Sequence, residues 1–429
     1  MFGFANFLLL ALFAAAVFDL IFALARGGGL RGALHGLWNT PHLLFGQQLA
    51  EWRLQLGRIL FAAGLAAYEI SVVFCNSMAR QNWAWVQGVM SPVLEWLAFL
   101  CFGAKILFGT RYTWRELLAG GALYFIARWV YFNSQNIWWI GIVVAVLAAK
   151  DIPLCRPLQV YFASGCAAMA VVLALHFAGI VAPDLTSERM GALRGTYGYG
   201  HPNTFGGLVF GLVLAYALLR AQKVRWVDCL LVFAVGVFLL VGPASRSAAL
   251  CTLALAVGLV FCRLRAGHSV PRWWPGTCAG MVGLTAAVSY LLPLLVIKVG
   301  PWNNDIGPAW LAKLDSLLTC RISLTWMAYR LLDVKIAGQV FNWPTVDNSF
   351  AFALFQFGPV VAALLGILFA AALWGHAKQG RRVEVCCLFA MLAYAYMEVQ
   401  PFHLTTNPTA LLLCGAVFAQ ASARWQKIE

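Results

Sequence analysis

The stretch WVDCLLVFAVGVFLLVGPASRSAALCTLALAVGLVFC (226–262) decides the fold. It holds two apolar runs, 226–242 and 246–262, joined by little more than Pro243-Ala244-Ser245. A helix needs about 20 apolar residues to cross a bilayer, and each run comes close to that. Working outward, the same pattern recurs at 2–25, 58–75, 86–108, 117–133, 136–149, 158–180 and 204–221. It continues at 274–297, 349–374, 384–400 and 408–423. Of the 429 residues, 62% are hydrophobic and 11% charged, against about 25% charged in an ordinary soluble domain. The expected fold class is all-α: a polytopic integral membrane helix bundle of about 13 transmembrane helices. Residues 1–429 form one membrane domain with no second soluble domain. Disorder, a disulfide scaffold and a secreted enzyme are excluded.

The formal net charge of +14 does not point to nucleic acid, because no basic run is long and most Lys and Arg flank apolar segments. Alternate connections are basic: those around 26–58, 105–115, 150–156, 220–225, 263–272 and 378–382, and the tail with Arg424 and Lys427. The positive-inside bias then puts the C-terminus in the cytoplasm. The connections around 181–203, 243–246, 298–348 and 401–407 face the other side. No Lys or Arg precedes the first apolar run and Arg26 follows it, so an uncleaved span is expected rather than a secretory signal. The twelve cysteines lie mostly inside apolar runs, with no C-x-x-C spacing, and argue for neither zinc nor a redox dithiol.

The longest hydrophilic connection, 298–348, is expected to be a large extracytoplasmic loop. Leu311, Leu314, Leu317, Leu318, Ile322, Leu324 and Trp326 recur there among charges, so short amphipathic helices are expected within it.

Residues that could carry chemistry gather on that same side. Ser245 and Arg246 sit in the short turn between two spans. Arg246 is either an interfacial arginine reaching lipid phosphate or a guanidinium held over a helix start to bind a phosphate in two-pronged fashion. Arg194 to Gly206, RGTYGYGHPNTFG, opens the seventh span. Pro202 suits a helix start. Asn203 could be its cap, whereas Tyr199 and His201 crowd a glycine-rich entry that a cap alone does not require. His201 has no second ligand at metal spacing. Arg321 and Arg330 are both explicable as solvated loop residues. Asp347 and Asn348 open the eleventh span, as a helix cap or, for Asp347, as an acceptor of a substrate hydroxyl proton. Asp19, Glu69, Glu95 and Arg128 fall inside spans and Glu398 near an outer end; Glu69 and Arg128 are expected to form a structural pair.

The order RGTYGYGHPNTFG, a short SRS turn, RISLTW in a long loop, then VDNSF before a Gly-Pro turn resembles the O-antigen ligase and polymerase superfamily. The likeness is closest to Gram-positive-type surface polysaccharide polymerases and covers 189–359. It implies a glycosyltransferase that needs no metal or cofactor. Its donor would be an undecaprenyl-diphosphate-linked oligosaccharide, extended at the outer face of the bacterial cytoplasmic membrane. A flippase and a chain-length regulator of the same pathway would be partners, alongside the lipid bilayer. Arg246 and Arg321 match the arginines thought to grip the diphosphate, and Arg194 and His201 match the entry motif. Asp347 stands where ligases carry a His, which favours a polymerase. The alternatives are a ligase transferring to a terminal acceptor, or a polysaccharide flippase. A transporter is expected to show broken-helix pairs.

Overall fold

The computed structural model describes residues 2–25, 29–45, 50–181, 187–189, 192–296 and 308–418. The tail arginine and lysine, Arg424 and Lys427, lie outside them, as does the start of the long connection. The chain divides into two compact units. The first holds α1 (Phe2–Ala25), α2 (Gly29–Asn39), α3 (Ala50–Cys75), α4 (Ala79–Asn82), α5 (Ser91–Phe108), most of α6 (Trp114–Ser134) and of α7 (Ile137–Ala148), α8 (Cys155–Phe177), and the opening turns of α9 (Pro202–Leu219). The second holds the rest of α9, α10 (Trp226–Val241), α11 (Arg246–Leu264), α12 (Trp274–Leu291), α13 (Ala309–Leu317), α14 (Arg321–Leu331), α15 (Ser349–Phe352), α16 (Pro359–Lys378) and α17 (Arg382–Met397). A last turn, α18 (Cys414–Val417), belongs to the first.

Each of the thirteen expected segments is helical over most of its described residues. Among the described residues, eight helices are long and apolar enough to cross a membrane, with three shorter apolar ones: Ile137–Ala148, Trp226–Val241 and Pro408–Val417. Three details depart from the expectation. The described part of the segment at 408–423 is a 3-10 stretch, Pro408–Leu413, followed by the single turn α18. The segment at 384–400 stops being helical at Met397, so Glu398 lies beyond it and outside every candidate span. The segment at 349–374 is two pieces: α15 runs into a π-helical turn, Ala353–Phe357, and the crossing helix α16 starts only at Pro359. Asp347 therefore precedes a short buried segment rather than a spanning helix.

In the first unit, helices meet through small residues, as expected where lipid removes the hydrophobic drive for association. Gly57 and Gly64, two turns apart on α3, face α5 and its C-terminal end. A Cβ on Gly57 would come within 2.9 Å of Gly109 Cα, and one on Gly64 within 2.7 Å of the Phe102 ring. The ends of α5 and α7 are tied by lysines: buried Lys105 donates to Thr110 Oγ1 at 2.7 Å and to Lys150 O, and Lys150 Nζ donates to Arg111 O at 2.6 Å. The expected Glu69–Arg128 pair is not formed; Arg128 Nε donates to Asn6 Oδ1 at 2.7 Å instead.

In the second unit the break before α16 has a local cause. Gly358 adopts φ 88° and ψ 165°, a conformation essentially confined to glycine, and Pro359 cannot continue a helix from its N-terminal side. The Gln356 carbonyl at the break accepts from Gln339 N at 3.2 Å, and the Gln356 side chain donates to Ser134 O at 2.9 Å, at the end of α6. Phe352 and Phe357 then pack on Phe402, at 5.7 and 5.1 Å between ring centroids.

Gly358→Ala should therefore destabilise the second unit. The backbone alone costs about 1–3 kcal/mol, and the added methyl would collide with Ile336 O. Thermal unfolding of the full chain in detergent checks it; an unchanged midpoint would show that the break does not depend on this glycine.

Candidate functional site

The second unit brings together four side chains from distant parts of the chain. Gly242 ends α10, Ala244 takes a left-handed conformation (φ 49°), and α11 starts at Arg246. This turn leaves Arg246 exposed and points Ser247 inward. The start of α14 is fixed by Asp315 at the end of α13, which accepts from Ile322 N at 2.7 Å, Ser323 N at 3.2 Å and Ser323 Oγ at 2.8 Å. A carboxylate suits a helix N-terminus, so this cap sets Arg321 on the first turn.

From there Arg321 is nearly saturated. Nη2 donates to Glu398 Oε1 at 2.6 Å and to Ser247 Oγ at 3.4 Å, Nη1 donates to Leu318 O at 2.8 Å, and Nε donates to Met397 O. Ser247 Oγ donates to Glu398 Oε1 at 2.9 Å, and Ser349 Oγ to the Glu398 carbonyl at 2.5 Å. Asp347 Oδ2 stands 4.0 Å from Arg321 Nε, its side chain 31% exposed where those of Arg321 and Glu398 are 7%. Burial pushes the Glu398 carboxyl up, to about 6, against the opposing pull of Arg321; Asp347 adds to the rise and Ser247 opposes it.

The expected site residues thus separate into two groups, each within its own unit. Arg246, Arg321 and Asp347 belong to the second. Ser245 and Asn348 are there too, buried in structural places: Ser245 precedes α11, and Asn348 caps α15 by accepting from Phe350 N and Ala351 N while donating to Ser289 Oγ at 3.1 Å.

The first unit holds the entry motif. Arg194, 6% exposed, donates to Asn203 Oδ1 at 2.9 Å. Asn203 lies inside the first turn of α9, after Pro202, and is not its cap. Its N–H donates to His201 Nδ1 at 3.1 Å, which leaves the His201 proton on Nε2 when the ring is neutral. Tyr199 is fully buried against Phe205, which also stacks on Tyr197. Tyr197 and Gly198 both take positive φ, so the glycine-rich entry is a tight turn laid on α4, where Met78 N donates to Gly198 O at 2.8 Å.

Sequence reasoning left Glu398, Ser247 and Ser349 out of the site. Glu398 carried the only available signal, an acid at the end of an apolar run. Its partner stands 77 residues away and cannot be read from spacing. Among the described residues no group of three or more His, Cys, Asp or Glu could hold a metal ion. No family model, no curated protein and no solved structure matches this chain.

Chemically, the cluster has an exposed arginine at a helix start, where anions are favoured, next in sequence to Ser247, which bonds Glu398 of a carboxylate pair flanking a buried guanidinium. Removing that guanidinium strands Glu398. Arg321→Ala should destabilise the protein by about 3–5 kcal/mol, and pairing it with Glu398→Ala should recover part of the loss. Tm values of the two single variants and the double variant check this; strict additivity would show that the pair has no energetic link.

Proposed function

We propose that the chain is a multi-pass glycosyltransferase, a polymerase that extends undecaprenyl-diphosphate-linked oligosaccharide at the outer face of the bacterial cytoplasmic membrane. In this reading about thirteen segments cross, and the C-terminus is cytoplasmic. The observation that carries it is the Arg321–Glu398–Asp347 cluster against the start of α11, where Arg246 is exposed. Arg246, Arg321 and Asp347 are residues of the motifs that resemble the O-antigen ligase and polymerase superfamily, and they come from three separate stretches; Glu398 lies outside those motifs.

The acceptor sugar hydroxyl attacks the anomeric carbon of the donor. The bond from that carbon to the diphosphate oxygen breaks, and undecaprenyl diphosphate leaves with the bonding pair. Asp347 takes the hydroxyl proton, being the more exposed of the two acids. Arg246 meets the charge that builds on the bridging oxygen. Arg321 is already committed to Glu398, Met397 and Leu318 and leaves the diphosphate to Arg246. Within the first unit, Arg194 and His201 are proposed to bind glycan by themselves, with Asn203 and Tyr199 acting through the fold of that turn.

One observation favours the transporter instead: the interrupted helix at Ser349–Phe357 is the kind of break that transporters use. The two readings separate in one assay. Purified protein in liposomes is given a synthetic undecaprenyl-diphosphate repeat unit. Longer glycans and released undecaprenyl diphosphate are expected, and a repeat unit that crosses the bilayer unextended would establish a transporter. Arg246→Ala should slow chain growth by about a hundred- to a thousand-fold. Arg246→Lys should recover little, since an ammonium cannot make the two-pronged contact. Asp347→Asn should stop turnover while donor binding persists.

A further inference from the structure

Two carboxylates share one guanidinium where α11, α14 and α17 meet. Arg321 gives Nη2 to Glu398 at 2.6 Å and presents its Nε edge to Asp347 at 4.0 Å. Backbone carbonyls of Met397 and Leu318 and the Ser247 hydroxyl take three further N–H donors. A guanidinium so held cannot swing onto a substrate anion without leaving a buried Glu398 unpaired, which is costly. It is placed to act on Asp347.

We propose that Glu398 is a positioning residue for Asp347: it anchors Arg321 beside that carboxylate and, by its own charge, sets how readily Asp347 takes a proton. The proposal deepens the glycosyl-transfer reading and rests on it for the reaction served, though not for the coupling itself.

The signs follow from charge. Arg321 favours ionised Asp347, and ionised Glu398 opposes that. The groups that face Glu398 are Arg321 from α14, Asp347 from the segment before α15, Ser247 and Cys251 from α11, and Tyr394 from α17; Ser349 of α15 holds its carbonyl. Arg246 precedes Ser247 on the same turn. With its carboxyl held near 6 by burial, Glu398 is charged at neutral pH and neutral in mild acid. Acidification thus strips away the charge that keeps Asp347 basic, and leaves Arg321 acting on Asp347 alone.

The coupling is reciprocal, so it is read at the carboxyl that titrates while the other is still charged. The test is an infrared titration of the full chain in nanodiscs, following the carboxyl band that Glu398→Gln removes. Asp347→Asn takes away a charge that raises the Glu398 midpoint and should lower it by about one pH unit, whereas Arg321→Gln should raise it by about one unit or more. Should Arg321→Gln fail to fold, Asp347→Asn decides alone. A Glu398 midpoint unmoved by Asp347→Asn overturns the proposal, whatever the chain-growth assay gives. Midpoints that shift as stated in a protein that extends no glycan uphold the coupling and overturn the glycosyl-transfer reading.

Discussion

The ion pair between Arg321 and Glu398 is the constraint around which the second unit is arranged. In a chain with so few charges, two full charges at 7% exposure persist only if each neutralises the other and the remaining donors and acceptors are filled. The structure meets both conditions. Two backbone carbonyls and Ser247 complete Arg321, and Ser247 gives Glu398 its second hydrogen bond. The requirement also fixes three pieces of chain relative to one another. The first turn of α11 has to present Ser247, the end of α17 has to stop at Met397 so that its carbonyl is available, and α14 has to begin at Arg321. Asp315 enforces the last of these through its cap.

The short segment before α16 follows from the same arrangement. Ser349 binds the carbonyl of Glu398, so the opening of α15 is held against the end of α17, and Asn348 closes its first turn. A continuous helix from 349 through 374 would carry this start away along the axis. Gly358 and Pro359 let the chain bend back instead, at the cost of a conformation that suits glycine alone. What results is an acid, Asp347, left half-exposed beside a buried cation.

Much of the fold was legible because lipid imposes a simple rule: long apolar runs become helices. That rule averages over local chemistry, which is why 349–374 read as one span although Gly358-Pro359 stood in plain view. The same averaging hid the end of α17 at Met397. Residue types in the site were legible for a different reason, since Arg246, Arg321 and Asp347 are charges where an apolar chain has little use for them. Their partners were not. Glu398 is as conspicuous as a charge can be, yet nothing in the spacing links it to Arg321, and the depth that made Glu69 and Arg128 look paired did not bring them together. Asn203 shows a finer limit: a Pro-Asn sequence marks a helix start, but which residue caps it depends on where the turn before Pro202 points His201.

Two arginines that look alike in the sequence divide the labour. Arg246 is exposed on a helix start, and Arg321 is buried and bound to carboxylates and carbonyls. A cryo-EM structure of the full chain with a bound polyprenyl diphosphate tests this most directly. The account predicts a phosphate oxygen within hydrogen-bond distance of Arg246, with Arg321 still paired to Glu398. Arg321 released from Glu398 and seated on the diphosphate would contradict it.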